Sequence, residues 1–198
     1  MAIDTKISET LKNLTRIKSV RRRGSPEPSC QLPTAPAHSC LILLTRGQYA
    51  IVDDYNFEWL NLWNWYAKKS IDTFYAVRED KDGKNTFMHR QILEILDVSK
   101  GMVTDHKNHN GLDNRECNIR ICTNAENQYN RRKIKATASV YKGIGWHKRD
   151  KVWYARIKQN QMTEHIGYYK SEIDAAKAYD AKALELFGEF AYTNFGGF

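Results

Sequence analysis

The sequence predicts an α+β fold built of two unlike parts: a strand pair that leads into a helix, and after it a small three-stranded antiparallel sheet packed on one helix. Three observations carry this expectation. Met102-Val103-Thr104-Asp105-His106 and Asn118-Ile119-Arg120-Ile121-Cys122 read as strands around a loop rich in Asn, Gly and Arg, and Thr123-Asn124-Ala125-Glu126 then has the capping-box form that opens a helix. Further on, alternation puts Trp153, Ala155 and Ile157 on one face of a strand and Tyr154, Arg156 and Lys158 on the other. An alanine-rich segment follows, opening at Ser171 with Asp174 three residues later and closing near Gly188.

The elements follow in order. Ile3, Ile7, Leu11, Leu14 and Ile17 recur at helical spacing ahead of Arg21-Arg22-Arg23, so this stretch reads either as a short amphipathic helix or as a loosely ordered extension. All four prolines fall between Pro26 and Pro36, which marks a linker. From Leu41 come strand-like segments LILLT, QYAIV and FYAVRE, with the turn Lys81-Asp82-Gly83 before NTFMH. Between them FEWLNLWNWYA carries Trp59, Trp63 and Trp65, which suit a core better than base stacking. His89-Arg90 opens a helix over RQILEILDV. Asn110-Gly111 supplies a tight turn between the two central strands, and three further strands are expected near 141–147, 152–158 and 163–169. On the last helix Ala175, Ala176, Ala178, Ala181 and Ala183 allow close approach to the sheet, with Ile173, Tyr179, Leu184 and Phe187 supplying bulk.

Composition narrows the class. The chain of 198 residues, 41% apolar with five Trp and eleven Tyr, suits ordered globular structure. No apolar run approaches the roughly 20 residues of a membrane span, and the first residues lack a signal peptide's hydrophobic stretch, so a soluble, intracellular and cytoplasmic protein is expected. Cys30, Cys40, Cys117 and Cys122 include no CxxC pair and read as reduced thiols without zinc-ligand spacing. The net charge of +8 is unevenly spread. Residues 1–24 hold seven Lys/Arg against two acids, residues 25–130 eleven against fourteen, and residues 131–198 thirteen against seven. Basic flanks around an acid-bearing middle fit a polyanion binder that also holds a divalent metal, and fit a solvated basic surface equally well.

The chemistry concentrates at Asp105-His106, with Asn118 thirteen and Asn127 twenty-two residues after the Asp. Hydrolysis of a phosphodiester needs a cation to hold a phosphate oxygen and the leaving oxygen, and a base to take a proton from water. Asp105 and the Asn127 carbonyl are hard oxygen ligands, suited to Mg²⁺ or Mn²⁺ rather than zinc. His106, whose unperturbed pKa lies near neutrality, is the candidate base. In a regular strand it points away from Asp105, so a twist or bulge at the strand end is expected to bring the two together. His109 and Asn110 are assigned to the turn, Asp113 and Asn114 to loop hydrogen bonding, and His89 either approaches the scissile phosphate or packs.

TDHKNHNGLDNRECNIRICTNAENQYNRR looks like the HNH endonuclease motif in the ββα-metal form found in homing endonucleases, where the last ligand is Asn instead of His. The segment from Leu43 to Leu96 resembles the region that usually precedes it. That resemblance implies Asp105 and Asn127 as metal ligands, His106 as the base that activates water, and Asn118 as the residue whose amide ties the loop. It gives a basic extension with a Pro-rich linker over 1–40 and a nuclease domain over 41–132, with its motif at 103–131.

Residues 141–195, through YKGIGW, WYARI, HIGYY, AAKAYD and a final NF, resemble the APETALA2-type DNA-binding domain of plant ethylene-response factors, also found fused to HNH homing endonucleases. The resemblance implies a domain over 138–196 whose sheet lies in the major groove of double-stranded DNA, with Lys142, Trp146, Arg156, Lys158, Thr163 and His165 as candidate contacts. Gly145 and His165 stand where the plant domains usually have Arg and Trp, so the target sequence is not inherited. The expected function is site-specific DNA cleavage by a monomer with a single Mg²⁺ or Mn²⁺ and no small-molecule cofactor, as in homing endonucleases of mobile introns and phages. A DNA-binding regulator with an inactive centre, and an RNA-binding or packaging protein, are the alternatives.

Overall fold

In a computed structural model the described residues are 36–93, 101–133 and 138–196. The helical spacing from Ile3 to Ile17 and the Pro-rich run up to residue 35 lie outside them. The chain mixes helices with small antiparallel sheets.

β1 (Ser39–Leu43) and β2 (Tyr49–Asp53) form an antiparallel pair around a turn in which Arg46 and Gly47 both take positive φ. Helix α1 (Asp54–Leu60) follows, then β3 (Tyr66–Lys69), β4 (Phe74–Glu79) and β5 (Asn85–Phe87) as a second antiparallel sheet in that order. Ile42, Ala50, Val52, Leu60, Trp65 and Met88 are the centre of one core. Trp65 donates its indole N–H to the Leu60 carbonyl at 2.8 Å, which satisfies the one polar atom that burial of a Trp brings inside. Trp59 packs against the same core, while Trp63 is 37% exposed under the Arg78 guanidinium. Helix α2 (Met88–Ile92) is only five residues long; residues 94–100, in which the expected helix would continue, are outside the described set.

β6 (Met102–His106) pairs with β7 (Ile119–Thr123), and helix α3 (Asn124–Tyr129) begins at once. The capping box forms as expected: the Glu126 N–H donates to Thr123 Oγ1 and the Thr123 N–H to Glu126 Oε2. The loop between the strands is clamped onto β2, whose Ile51 accepts from the Asn114 N–H and donates to the Leu112 carbonyl. The left-handed residue there is His109, at φ 62°, rather than Asn110-Gly111. Gly111 is required for another reason: a Cβ on it would lie 2.5 Å from the Phe74 carbonyl and 2.6 Å from the Tyr75 ring.

The C-terminal module has β8 (Ile144–His147), β9 (Val152–Gln159) and β10 (Met162–Tyr169) in an antiparallel sheet with β9 central and a bulge between His165 and Gly167. Helix α4 (Glu172–Phe187) covers one face, so Ala155, Ile157, Ala175, Ala176, Tyr179 and Ala183 are buried together. Ser171 Oγ accepts from the Asp174 N–H. Ile173 and Leu184, expected in the core, face solvent at 48% and 55% exposure. They stand eleven residues, three turns, apart on a stripe about a quarter-turn round the helix from Ala176 and Ala183. The core bulk comes instead from Tyr179, Phe187 and half-buried Leu186.

Candidate active site

The strand pair places Asp105 directly opposite Arg120, and His106 opposite Ile119. No bulge interrupts the register from Met102↔Thr123 to His106↔Ile119, contrary to the expectation above. Asp105 and His106 therefore leave the strand on opposite sides, each into a distinct buried environment.

On the Asp105 side, Arg120 donates from Nε and Nη2 to Oδ2 at 3.0 and 2.7 Å. Asn130, the C-cap of α3, brings its Nδ2 to both carboxylate oxygens at 3.1 and 2.9 Å and to the His106 carbonyl at 3.3 Å. Asn130 is 1% exposed, and its Oδ1 is buried with no hydrogen-bond partner. Because Nδ2 meets only acceptors, the amide cannot be turned round, and the orphaned oxygen is left as a free acceptor. Asn127, the expected ligand, lies one turn earlier on α3, half-buried and three residues from Asn130, hence on the same face of the helix. Among the described residues its side chain makes no hydrogen bond, so the structure brings Asp105 together with Asn130 and leaves the Asn127 side-chain amide uncommitted.

On the other side His106 is 6% exposed, with Nε2 3.2 Å from Asn114 Oδ1. Asn114 is fully buried and donates its own Nδ2 to the Leu112 carbonyl, which fixes Oδ1 toward the imidazole. An amide oxygen only accepts, so Nε2 carries the hydrogen and Nδ1 keeps its lone pair. Burial pushes the His106 pKa below its ordinary value, with the Asn114 bond and the charges of Asp105 and Asp113 working in the opposite sense. The rings of His89 and Tyr75 stand 4.9 and 5.8 Å from it. Burial, His106 and Arg90 hold His89 well below the usual imidazole range, so it is neutral. Arg90 and Lys68 lie over the Phe87 ring beside this cluster, and Arg90 Nε is buried without a partner.

Asn118 closes the loop between the strands. Its Oδ1 accepts from the Asn108 N–H at 3.0 Å and its Nδ2 donates to the Asp113 carbonyl at 2.7 Å. Burial raises the Asp113 carboxyl, but the paired Arg115 guanidinium and Asn108 overcome this and hold it below its ordinary value. Among the described residues no three of His, Cys, Asp and Glu converge. Candidate cation chemistry here rests on one carboxylate and on carboxamide oxygens.

In the C-terminal sheet Arg156 stands opposite His165 and Lys158 opposite Thr163, all four on the exposed face. Tyr154 and Tyr168 share that face, and Tyr168 lies between His165 at 4.5 Å and His147 at 5.9 Å. Trp146 does not: it pairs with Trp153, whose side chain is on the helix side of the sheet, and the rings meet edge to face at 4.9 Å. Lys142 is also turned away, its ammonium 2.7 Å from the carbonyls of Tyr129 and Arg131 at the end of α3. Burial lowers the Lys142 pKa to about 8, whereas those carbonyls and the Tyr192 ring 5.1 Å away favour the charged form.

The residues that sequence reasoning missed are Arg120 and Asn130. The signal for Arg120 was its place in the strand opposite Asp105, and for Asn130 the i, i+3 spacing from Asn127. No protein-family model matches the chain. It is 31% identical over 151 residues, 75% of this chain and 76% of the relative, to a protein of Acanthamoeba polyphaga mimivirus named as an uncharacterized HNH endonuclease. With the strand pair, capped helix and Asp-His pair in place, that likeness establishes that the chain belongs to the HNH endonuclease family.

Proposed function

We propose that the protein is a site-specific DNA endonuclease of the ββα-metal type, acting with a single Mg²⁺ or Mn²⁺, and that residues 138–196 are an APETALA2-like domain that positions it on double-stranded DNA. The observation that carries this reading is a buried His106, held with Nδ1 free by Asn114, at the end of the strand whose preceding residue, Asp105, is held on the other side by Arg120 and Asn130. The donor set fits a hard cation: Asp105, the uncommitted Asn127 amide and the orphaned Asn130 Oδ1 are all oxygen donors or carry one. Asp105 and Asn127 would hold the ion, with Asn130 and Arg120 orienting the carboxylate.

Held there by Asp105 and Asn127, a divalent cation would supply positive charge against the phosphate undergoing attack. His106 Nδ1 takes the proton of the attacking water, since the Nε2 hydrogen is engaged by Asn114. The resulting imidazolium is faced by the His89 and Tyr75 rings. Asn118 keeps the loop closed so that this geometry persists. Lys68 and Arg90 put positive charge beside the base, where a DNA backbone would pass. The exposed sheet face bearing Arg156, Lys158, Thr163 and His165 makes the distal contacts. A single centre per chain nicks one strand, and the reading extends to a homing role in a mobile element such as an intron or phage.

The two functions separate on substitution. His106→Ala abolishes cleavage while the protein still retards DNA on a gel, and Arg156→Ala weakens retardation while Mn²⁺ binding stays intact. Cleavage by His106→Ala at the wild-type rate would disprove the assigned base.

A further inference from the structure

We propose that the C-terminal module is a component of the nuclease centre as well as a DNA-binding attachment, and that Arg120 is the positioning residue through which it acts on Asp105. This inference rests on the reading of Asp105 as a metal ligand.

The Arg120 guanidinium spans the boundary between the two parts. Two of its N–H groups bind Asp105 Oδ2, and Nη1 donates to the main-chain carbonyl of Glu189, in the turn Gly188–Phe190 directly after α4. Its flat face lies 4.3 Å from the centre of the Phe190 ring. Arg120 and Asp105 are 8% and 7% exposed, so water does not loosen the pair. Three partners on three sides leave the guanidinium no alternative direction, and a lysine, a point charge without a fork, cannot reproduce them. Both Arg120 bonds go to the same carboxylate oxygen. Oδ1 receives only the Asn130 amide at 3.1 Å and keeps a lone pair for a ligand.

The same module also grips the helix that carries the two carboxamides. Phe187 stacks on Tyr129 with ring centroids 3.8 Å apart and planes 8° from parallel. The Tyr192 N–H donates to the Tyr129 carbonyl, and Lys142 Nζ donates to the carbonyls of Tyr129 and Arg131. These are carbonyls at a helix C-terminus, which have no partner within the helix and favour a cation. Thus β6 is tied to the C-terminal module through Arg120, and α3 through Lys142, Phe187 and Tyr192. A buried ion pair recovers little stability beyond its desolvation cost, so orientation of Asp105 is the better account of Arg120.

The test is calorimetric titration of Mn²⁺ into the metal-free full chain, for wild type, Arg120→Lys, Phe190→Leu and Asp105→Asn. Melting temperature and DNA retardation in EDTA are measured beside it. Arg120→Lys is expected to weaken Mn²⁺ binding about 10-fold or more, the usual effect of losing a group that orients a ligand. Phe190→Leu, which touches neither the carboxylate nor the exposed sheet face, is expected to weaken it in the same direction with DNA retardation unchanged. A purely structural role would lower the melting temperature and leave Mn²⁺ affinity alone. Wild-type affinity in folded Arg120→Lys or Phe190→Leu, with binding lost in Asp105→Asn, would overturn this inference and leave the metal site standing. Wild-type affinity in Asp105→Asn would overturn the metal site and the inference together.

Discussion

Replacing Asn114 by Ala removes the group that holds the base. Two hydrogen bonds disappear, from His106 Nε2 to Oδ1 and from Nδ2 to the Leu112 carbonyl, and both partners are buried, at 6% and 8% exposure. An unpaired buried polar group costs about 1–3 kcal/mol, so the two together amount to ~2–6 kcal/mol, a large share of a domain's typical ~5–15 kcal/mol. Urea unfolding followed by tryptophan fluorescence measures this directly. Without the acceptor on Nε2 the imidazole can carry its hydrogen on either nitrogen, and the rate at saturating DNA is expected to fall about 10–100-fold, as for loss of other groups that orient a reacting residue. Asn114→Asp separates the two effects. A carboxylate keeps the acceptor but favours the imidazolium, so the acidic limb of the pH–rate profile moves upward, whereas Asn114→Ala removes a bond that raises the His106 pKa and moves it downward. A stability change under ~0.5 kcal/mol in Asn114→Ala, with an unaltered rate, would refute the reasoning.

Other perturbations give equally direct outcomes. Asn118→Ala strands the Asn108 N–H and the Asp113 carbonyl and should destabilise by ~2–4 kcal/mol in denaturant unfolding, with cleavage lost. Gly111→Ala drives a methyl against the Phe74 carbonyl and the Tyr75 ring, for a loss of ~1–3 kcal/mol in the same assay. His89 and His106 are held neutral by burial, and His109 is lowered to about 4 by burial and Arg132. The unfolded chain, with imidazoles near 6.5, binds more protons below that pH, so stability is full above it and falls as the pH drops from about 6.5 toward 4. Equal unfolding midpoints at pH 7 and pH 5 would contradict this. Arg156→Ala and Lys158→Ala should each reduce the slope of log affinity against log salt by about 0.9 if each neutralises one phosphate.

The parts of the fold written in short-range chemistry were legible. The Thr123 capping box, the β9 alternation and the Ser171 cap follow from groups within a few residues of one another, and all three form. Contacts set by register over longer range were not legible. Arg120 meets Asp105 because two strands pair without a bulge, and it meets Glu189 because α4 ends against them. Lys142 and Trp146 carry charge and aromatic surface suited to DNA, yet tertiary packing claims both, one at the end of α3 and the other against Trp153. The Asp-His pair was readable from spacing, but its orienting contacts are tertiary: Asn114 meets His106 once the loop is clamped onto β2, and Asn130 meets Asp105 once α3 packs beside β6.

Incubation of purified protein with supercoiled plasmid in Mg²⁺, in Mn²⁺ and in EDTA, beside His106→Ala, tests the central claim most directly. The account predicts nicked plasmid in either metal, none in EDTA and none with His106→Ala. Nicking that persists in EDTA, or that His106→Ala performs as well as the wild type, would contradict it.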